Sequence, residues 1–222
     1  MSERLALFPL GTVLYPGLLL PLYIFEDRYR QLVRDLMAGP EPRRFGIIAI
    51  RKGRETGVDG VSALYEIGCT ATLRRVSERE DGTFDLVVVG GDRFRLGRLD
   101  HSRPYPQGEV ELLAEDTGEE SAAALAAGAV LAAFRAYLDA LAARGVSQRI
   151  APDLPDEPVL LSYVVAAAMV IDLPHRQALL VEPDARRRLE AERALLGRET
   201  AMLRALTSMP APDLRSSPPS PN

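Results

Sequence analysis

From Leu5 to Phe25 the chain reads LALFPLGTVLYPGLLLPLYIF without one charged side chain, a run long enough to span a bilayer. Its interior argues against a membrane helix. Pro9, Pro16 and Pro21 each remove a backbone donor and clash with the preceding turn, at about 3 kcal/mol apiece in a helix interior, and Gly11 and Gly17 weaken it further. A secretory signal fits no better, because MSER carries one acid against one arginine and no small-residue cleavage site follows. The pattern predicts short extended pieces instead: LALF, TVLY, a Pro16-Gly17 turn and LLLPLYI.

Beyond Phe25 the period changes. In EDRYRQLVRDLM the apolar residues Tyr29, Leu32, Val33, Leu36 and Met37 follow the i, i+3, i+4, i+7, i+8 stripe of an amphipathic helix. Glu26 and Asp27 suit its first turn, and Gly39-Pro40 ends it. From Phe45 to about Leu113 the signals are β. FGIIAIR is one strand, and EIGCTATLRRVSERE and TFDLVVVGGDRFRLGRLD flank the hairpin pair Asp81-Gly82. Gly90-Gly91 marks a bulge or bend, VELL is a last strand, and Arg51–Gly60 is a polar loop.

After Leu113 the chain turns helical. Thr117-x-x-Glu120 reads as a capping box opening an alanine-rich helix to about Ala143. VLLSYVVAAAMVI is apolar on every side, as a buried helix is. DLPHRQALLV places Pro174 near a helix start, and a final helix runs from about Pro183 to Leu206. Its Leu189, Leu196 and Leu203 read as packing positions, too few for a coiled coil. PAPDLRSSPPSPN cannot build a core. The chain therefore divides into a β-rich unit over 1–116, a helical unit over 117–208 and a disordered Pro/Ser-rich tail over 209–222, an α+β arrangement.

Composition narrows the chemistry. The 222 residues carry a formal net charge of −4, without the basic excess of a nucleic-acid binder. With Cys69 the single cysteine and His101 and His175 the only histidines, neither a disulfide nor a Cys/His zinc site is expected. Of 27 basic residues only Lys52 is lysine, and its Arg51 and Gly53 neighbours do not form a phosphate-binding loop. No G-x-G-x-x-G, G-x-S-x-G or H-E-x-x-H occurs. The basic clusters Arg43-Arg44, Arg51–Arg54, Arg74-Arg75 and Arg186–Arg188 lack interleaved aromatics and read as solvated charge.

Four stretches in order resemble one family. FPLGTVLYPGLLLPLYIFEDRYRQLV is similar to the opening of the N-terminal substrate-binding domain of Lon proteases. YEIGCTATL, DGTFDLVVVGGDRFRL and VAAAMVIDLPHRQALLVEPDARRRLE resemble its later strand, hairpin and helical segment. The likeness runs from Leu5 to Leu206. It implies a PUA-like β pseudo-barrel with one early helix, followed by an α-helical bundle, the two serving protein recognition. Lon proteases continue into an ATPase and a serine–lysine peptidase; this chain stops before either, and Lys52 alone could supply neither with its lysine. The expectation is a non-enzymatic, stand-alone cytoplasmic module without cofactor or metal. It would bind unfolded or hydrophobic protein segments, with a protease or chaperone as a further partner, as a proteolysis adaptor. The candidate contacts are Tyr15 and Leu18 around the Pro16-Gly17 turn, and Arg93 and Phe94 after the glycine bend. The alternative is RNA binding through the PUA-like barrel, which steep salt dependence would reveal.

Overall fold

The computed structural model describes residues 2–53, 61–116, 119–146 and 154–207. Seven strands and five helices follow one another as β1 (Ser2–Leu10), β2 (Leu19–Ile24), α1 (Asp27–Ala38), β3 (Arg44–Gly53), β4 (Val61–Leu64), β5 (Ile67–Glu78), β6 (Phe84–Asp100), β7 (Gln107–Leu113), α2 (Glu120–Ala142), α3 (Pro158–Ala168), α4 (Leu173–Val181) and α5 (Ala185–Thr207). The strand order is β1-β7-β6-β5-β3-β4, and β2 pairs with β6. All pairings are antiparallel except β1 with β3. Because β1 bonds both β7 and β3, five strands close into a ring, with β2 and β4 outside it.

The long β6 organises the sheet. Its first half lies between β2 and β5, its second between β5 and β7. The change of neighbour falls at the predicted glycine bend, where Cys69↔Arg93 and Ala71↔Gly90 leave an extra residue on β6, a bulge that bends the strand. Glycine at 90 is a packing requirement, since a Cβ there would stand 2.1 Å from the Tyr15 carbonyl oxygen. The Gly90 amide donates to Leu18 O at 2.8 Å and the Gly17 amide to Gly90 O at 2.9 Å. Gly17 adopts φ 77°, so the Pro16-Gly17 turn is clamped onto the bend.

Two large apolar clusters flank this frame. On one side α1 buries Tyr29, Leu32 and Val33 against Phe8, Phe45, Leu86 and Val88, with the Phe8 and Tyr29 rings 4.3 Å apart. On the other, α2–α5 pack together and onto Val13, Tyr15 and Ile67. Leu189 and Leu196 of α5 are wholly buried there, as the packing reading of those leucines requires. By length and composition α2 could cross a membrane, yet Ala123, Ala127, Val130, Phe134 and Tyr137 along it are buried among these helices.

Local differences from expectation have local causes. TVLY joins no ladder among the described residues: Thr12 lies in a bend and Val13, Leu14 and Tyr15 are irregular, leading into the turn that bonds Gly90. VSAL forms the short strand β4, which the sequence reading did not resolve. Glu26 is the N-cap of α1 and not part of its first turn. The α2 N-cap is Glu119, whose side chain makes no capping bond; Thr117 of the expected capping box lies outside the described residues. So do 54–60 of the expected polar loop, whose first residues Arg51–Gly53 belong to β3, and so does the 209–222 tail. The third helix stops at Ala168, before Ile171, and the last begins at Ala185, not Pro183.

Candidate functional site

Strand β2 has two unequal faces. Ile24 is buried and Leu20 and Leu22 half-buried toward the α1 core, whereas Leu19, Pro21 and Tyr23 are exposed. Phe25 continues the outer row. Leu19 is 65% exposed, Tyr23 49% and Phe25 50%, so three large apolar side chains share one side of the molecule. The register adds a second row, setting Leu19 against Val89, Pro21 against Val87 and Tyr23 against Asp85 on β6. Arg75 and Ser77 of β5 lie beyond Val87 and Asp85. Pro21, Leu22, Tyr23, Arg75, Val76 and Leu86 are among the residues lining a groove of about 780 Å³ here.

The face is stiffened at one end. The Tyr23 and Phe25 rings stack with centroids 5.8 Å apart. The Arg79 guanidinium lies 4.8 Å from the Tyr23 centroid and donates twice to Asp85, at 2.7 and 2.9 Å. The Arg79–Asp85 fork thus holds a cation over one aromatic ring.

The open edge of β2 is not a free ladder. The Gly90 N–H to Leu18 O bond fixes Leu18 and Gly90 as a bonded pair. Antiparallel alternation then turns the backbone of Leu20 and Leu22 toward β6 and that of Leu19, Pro21 and Tyr23 away from it. Pro21 therefore occupies a position where the lost N–H costs the sheet nothing, and it removes a donor from the outer edge, which discourages strand addition. Among the described residues β2 pairs only with β6. What it offers a partner is a side-chain face.

The residues singled out from the sequence lie elsewhere. Phe94 is wholly buried with Leu7, Ile48 and Val110. Tyr15 is 1% exposed, its hydroxyl donating to Arg176 O at 2.9 Å and its ring stacked on Tyr163. Leu18 is half-buried against the helices. Arg93 is 1% exposed and fully engaged: it donates to Glu115, to Leu180 O and Val181 O at 3.0 and 3.3 Å, and to Ala114 O at 3.0 Å. Tyr15 and Phe94 thus have no surface for a ligand, and Arg93, though buried, borders a cleft of about 540 Å³ with Ile67, Ala114 and Gln177. Tyr15 and Arg93 join sheet to helices, and Phe94 fills the core. The exposed row Leu19, Pro21, Tyr23 and Phe25 was not singled out from the sequence. All six residues of β2 are apolar, so the one signal the sequence held is a proline that only an edge strand accepts.

The same seam holds a polar network. Glu115 accepts from Arg93, from the Tyr163 hydroxyl at 2.7 Å and from Arg188 at 3.4 Å. Arg188 also donates to Ser162 Oγ at 2.7 Å and to Glu182 O, and lies over the Tyr163 ring. Burial pushes the Tyr15 and Tyr163 phenols up and the Cys69 thiol likewise, which makes that thiol a poor nucleophile. His175 pairs with Asp172 and contacts Arg198. Among the described residues no group of three or more His, Cys, Asp or Glu side chains could hold a metal ion.

Comparison with known proteins gives one consistent answer. The family model for the ATP-dependent protease La (LON) substrate-binding domain matches residues 4–198. Lon protease 2 of Syntrophobacter fumaroxidans is 25% identical over 193 residues, covering 86% of this chain and 24% of that protein. Lon protease of Escherichia coli strain K12 is 25% identical over 211 residues, covering 91% and 26%. The chain thus spans about a quarter of the length of the curated relatives it matches. Among solved structures, the Lon N-terminal domain protein from Xanthomonas campestris superposes with a TM-score of 0.57 at 25% identity, covering 94% of this chain and 99% of that one. The N-terminal domain of Mycobacterium avium complex Lon protease gives 0.62 at 17% identity, covering 90% and 98%. The fold is that of Lon N-terminal domains.

Proposed function

The chain belongs to the Lon substrate-binding domain family, and on that premise we propose that it captures exposed apolar segments of unfolded proteins on the outer face of β2, without catalysis of its own. The observation that carries this reading is the row Leu19, Pro21, Tyr23 and Phe25, exposed beside the groove over β5 and β6. Covering a half-exposed large apolar side chain contributes about 1 kcal/mol, so several together support a weak grip that depends little on sequence. The Tyr23–Phe25 stack presents a large contact area at low entropic cost, as interface aromatics do. Pro21 keeps the edge from templating strand growth, so a client is held by its side chains and released without breaking a sheet. In this reading the protein is a cytoplasmic quality-control adaptor that passes clients to a protease or a chaperone.

The test is capture of an unfolded model protein and of its folded counterpart by the purified chain at low and high salt, with Leu19→Asp and Tyr23→Asp beside the parent. Both side chains are about half exposed or more, so the variants keep the fold. Selective capture of the unfolded form, tolerant of salt and weakened about tenfold or more by either variant, is the expected result. Equal capture by parent and variants would remove the β2 face from the reading. Capture that collapses with salt would point to phosphate-type contacts instead.

A further inference from the structure

Glu192 lies in the middle of α5 and is wholly buried, yet among the described residues neither carboxyl oxygen has a hydrogen-bond partner. A buried acid is ordinarily paired or bonded. Arg188 stands one turn before it, the i, i+4 distance at which side chains on a helix meet, but Arg188 spends its guanidinium on Ser162, Glu182 O and Glu115. The other groups around this point are Tyr15 from the turn before β2, Tyr163 from α3 and Arg176 from α4. Arg176 is held by the Ile171 and Met169 carbonyls. The buried side chains of α2 are apolar apart from Tyr137, whose hydroxyl accepts from Val170 N.

We infer that Glu192 is a proton-operated latch on the seam between sheet and helices: protonated, it stays in the core and leaves Arg188 to Glu115; ionised, it takes Arg188 and frees Glu115. The proton leaves to solvent and no other bond is made or broken covalently. Burial holds the Glu192 carboxyl well above the ordinary glutamate range, with the Arg188 charge opposing, so the neutral acid is the form that fits. Glu115 also anchors Arg93 and Tyr163. Exchange of Arg188 from one acid to the other therefore loosens the short linker at 114–116, which is tied to α5 through Asp116 N–H to Pro183 O and Ala185 N–H to Asp116 O.

The sign follows from the raised value. In the folded chain Glu192 retains its proton at pH values where the unfolded chain has lost it. The stability it confers is full below the ordinary glutamate range and falls as pH rises through the folded value. One proton of difference changes the folding equilibrium tenfold per pH unit across that window. Urea unfolding of the full chain from pH 5 to 9, followed by far-UV circular dichroism, should show that decline in the parent and lose it in Glu192→Gln. Carbon-detected NMR of the parent's own carboxyl groups gives the second readout and needs no variant. The Glu192 signal should titrate well above its exposed counterparts, and the Asp116 and Ala185 amides should lose exchange protection, corrected for intrinsic rate, over the same pH range. Glu192→Gln with the parent's pH dependence, a Glu192 carboxyl titrating in the ordinary range, or amides that keep their protection through the titration would each overturn the latch.

Discussion

Arg93→Ala separates a seam residue from a binding contact. Arg93 forms one ion pair and three hydrogen bonds to backbone carbonyls while 1% exposed. Removing one member of a buried pair costs about 3–5 kcal/mol, because the remaining polar groups are left buried and unpaired. Glu115 is 30% exposed and can rehydrate, and it keeps Tyr163 and Arg188, which places the cost near the lower end, about 3 kcal/mol. The total stability of a domain is about 5–15 kcal/mol, so the loss is large but survivable. With about 2–4 °C per kcal/mol for a chain of this size, the midpoint should fall by about 6–12 °C. The chain contains no tryptophan, so far-UV circular dichroism in urea and on heating is the assay. Client capture, measured well below the new midpoint, should be unchanged. A variant within about 1 kcal/mol of the parent that had lost capture would refute the argument and return Arg93 to the binding surface.

Two further perturbations probe separate links. Gly90→Ala drives a Cβ to 2.1 Å from the Tyr15 carbonyl oxygen and should cost about 3 kcal/mol. Gly128→Ala on α2, where a Cβ meets nothing within 4 Å among the described residues, should gain about 0.5–1 kcal/mol from helix propensity; paired urea titrations compare them, and equal effects would deny the close approach at the bend. Asp35 accepts a hydrogen bond from the Tyr105 hydroxyl at 2.6 Å, which holds its carboxyl below the usual range. The stability this brings is present above the unfolded value and is lost as pH falls through the folded one. Asp35→Asn should therefore lose stability at neutral pH and flatten the acid limb of the stability profile. On the alkaline side burial, and next the bond to Asp35, push the Tyr105 phenol up to about 12. Parent stability should decline as pH rises from the ordinary tyrosine value toward that number, a decline absent in Tyr105→Phe.

Much of the fold was legible because local signals agreed with the final packing. The α1 stripe buries Tyr29, Leu32 and Val33, three of the positions its period selects. Asp81-Gly82 turns β5 into β6, with Gly82 at φ 73° where other residues are strained. Gly90-Gly91 marks the bulge, although nothing in the sequence says that the Pro16-Gly17 turn is what lands there. VSAL was not legible because four residues carry too little period to read, and its place beside β3 is a tertiary choice. TVLY looks like a strand by composition, but an extended segment becomes a strand only if a neighbour's backbone is free to pair with it.

Burial at Arg93 and exposure along β2 both run against expectation, and the reason is physical. An arginine is ordinarily exposed, so Arg93 looked like a surface group and the apolar run around β2 looked like core. Bulge geometry reverses the first expectation. It aims Arg93 at the last carbonyls of α4, where the helix leaves acceptors unsatisfied and the dipole favours a cation. Edge position reverses the second: one side of β2 already meets α1, and no helix or strand among the described residues covers the other. Apolar content alone cannot tell these two sides apart. The alternation of exposed Leu19, Pro21 and Tyr23 with covered Leu20, Leu22 and Ile24 belongs to the structure; the sequence held only a proline that an interior strand would have rejected. If that alternation is what leaves the face open for clients, then Leu20→Asp and Leu19→Asp, adjacent in sequence, should part company. The first should unfold the chain by burying a charge against the α1 core, and the second should leave the chain folded and unable to hold an unfolded protein. Capture and folding measured side by side decide it, and equal loss of fold in both would place β2 in the interior after all.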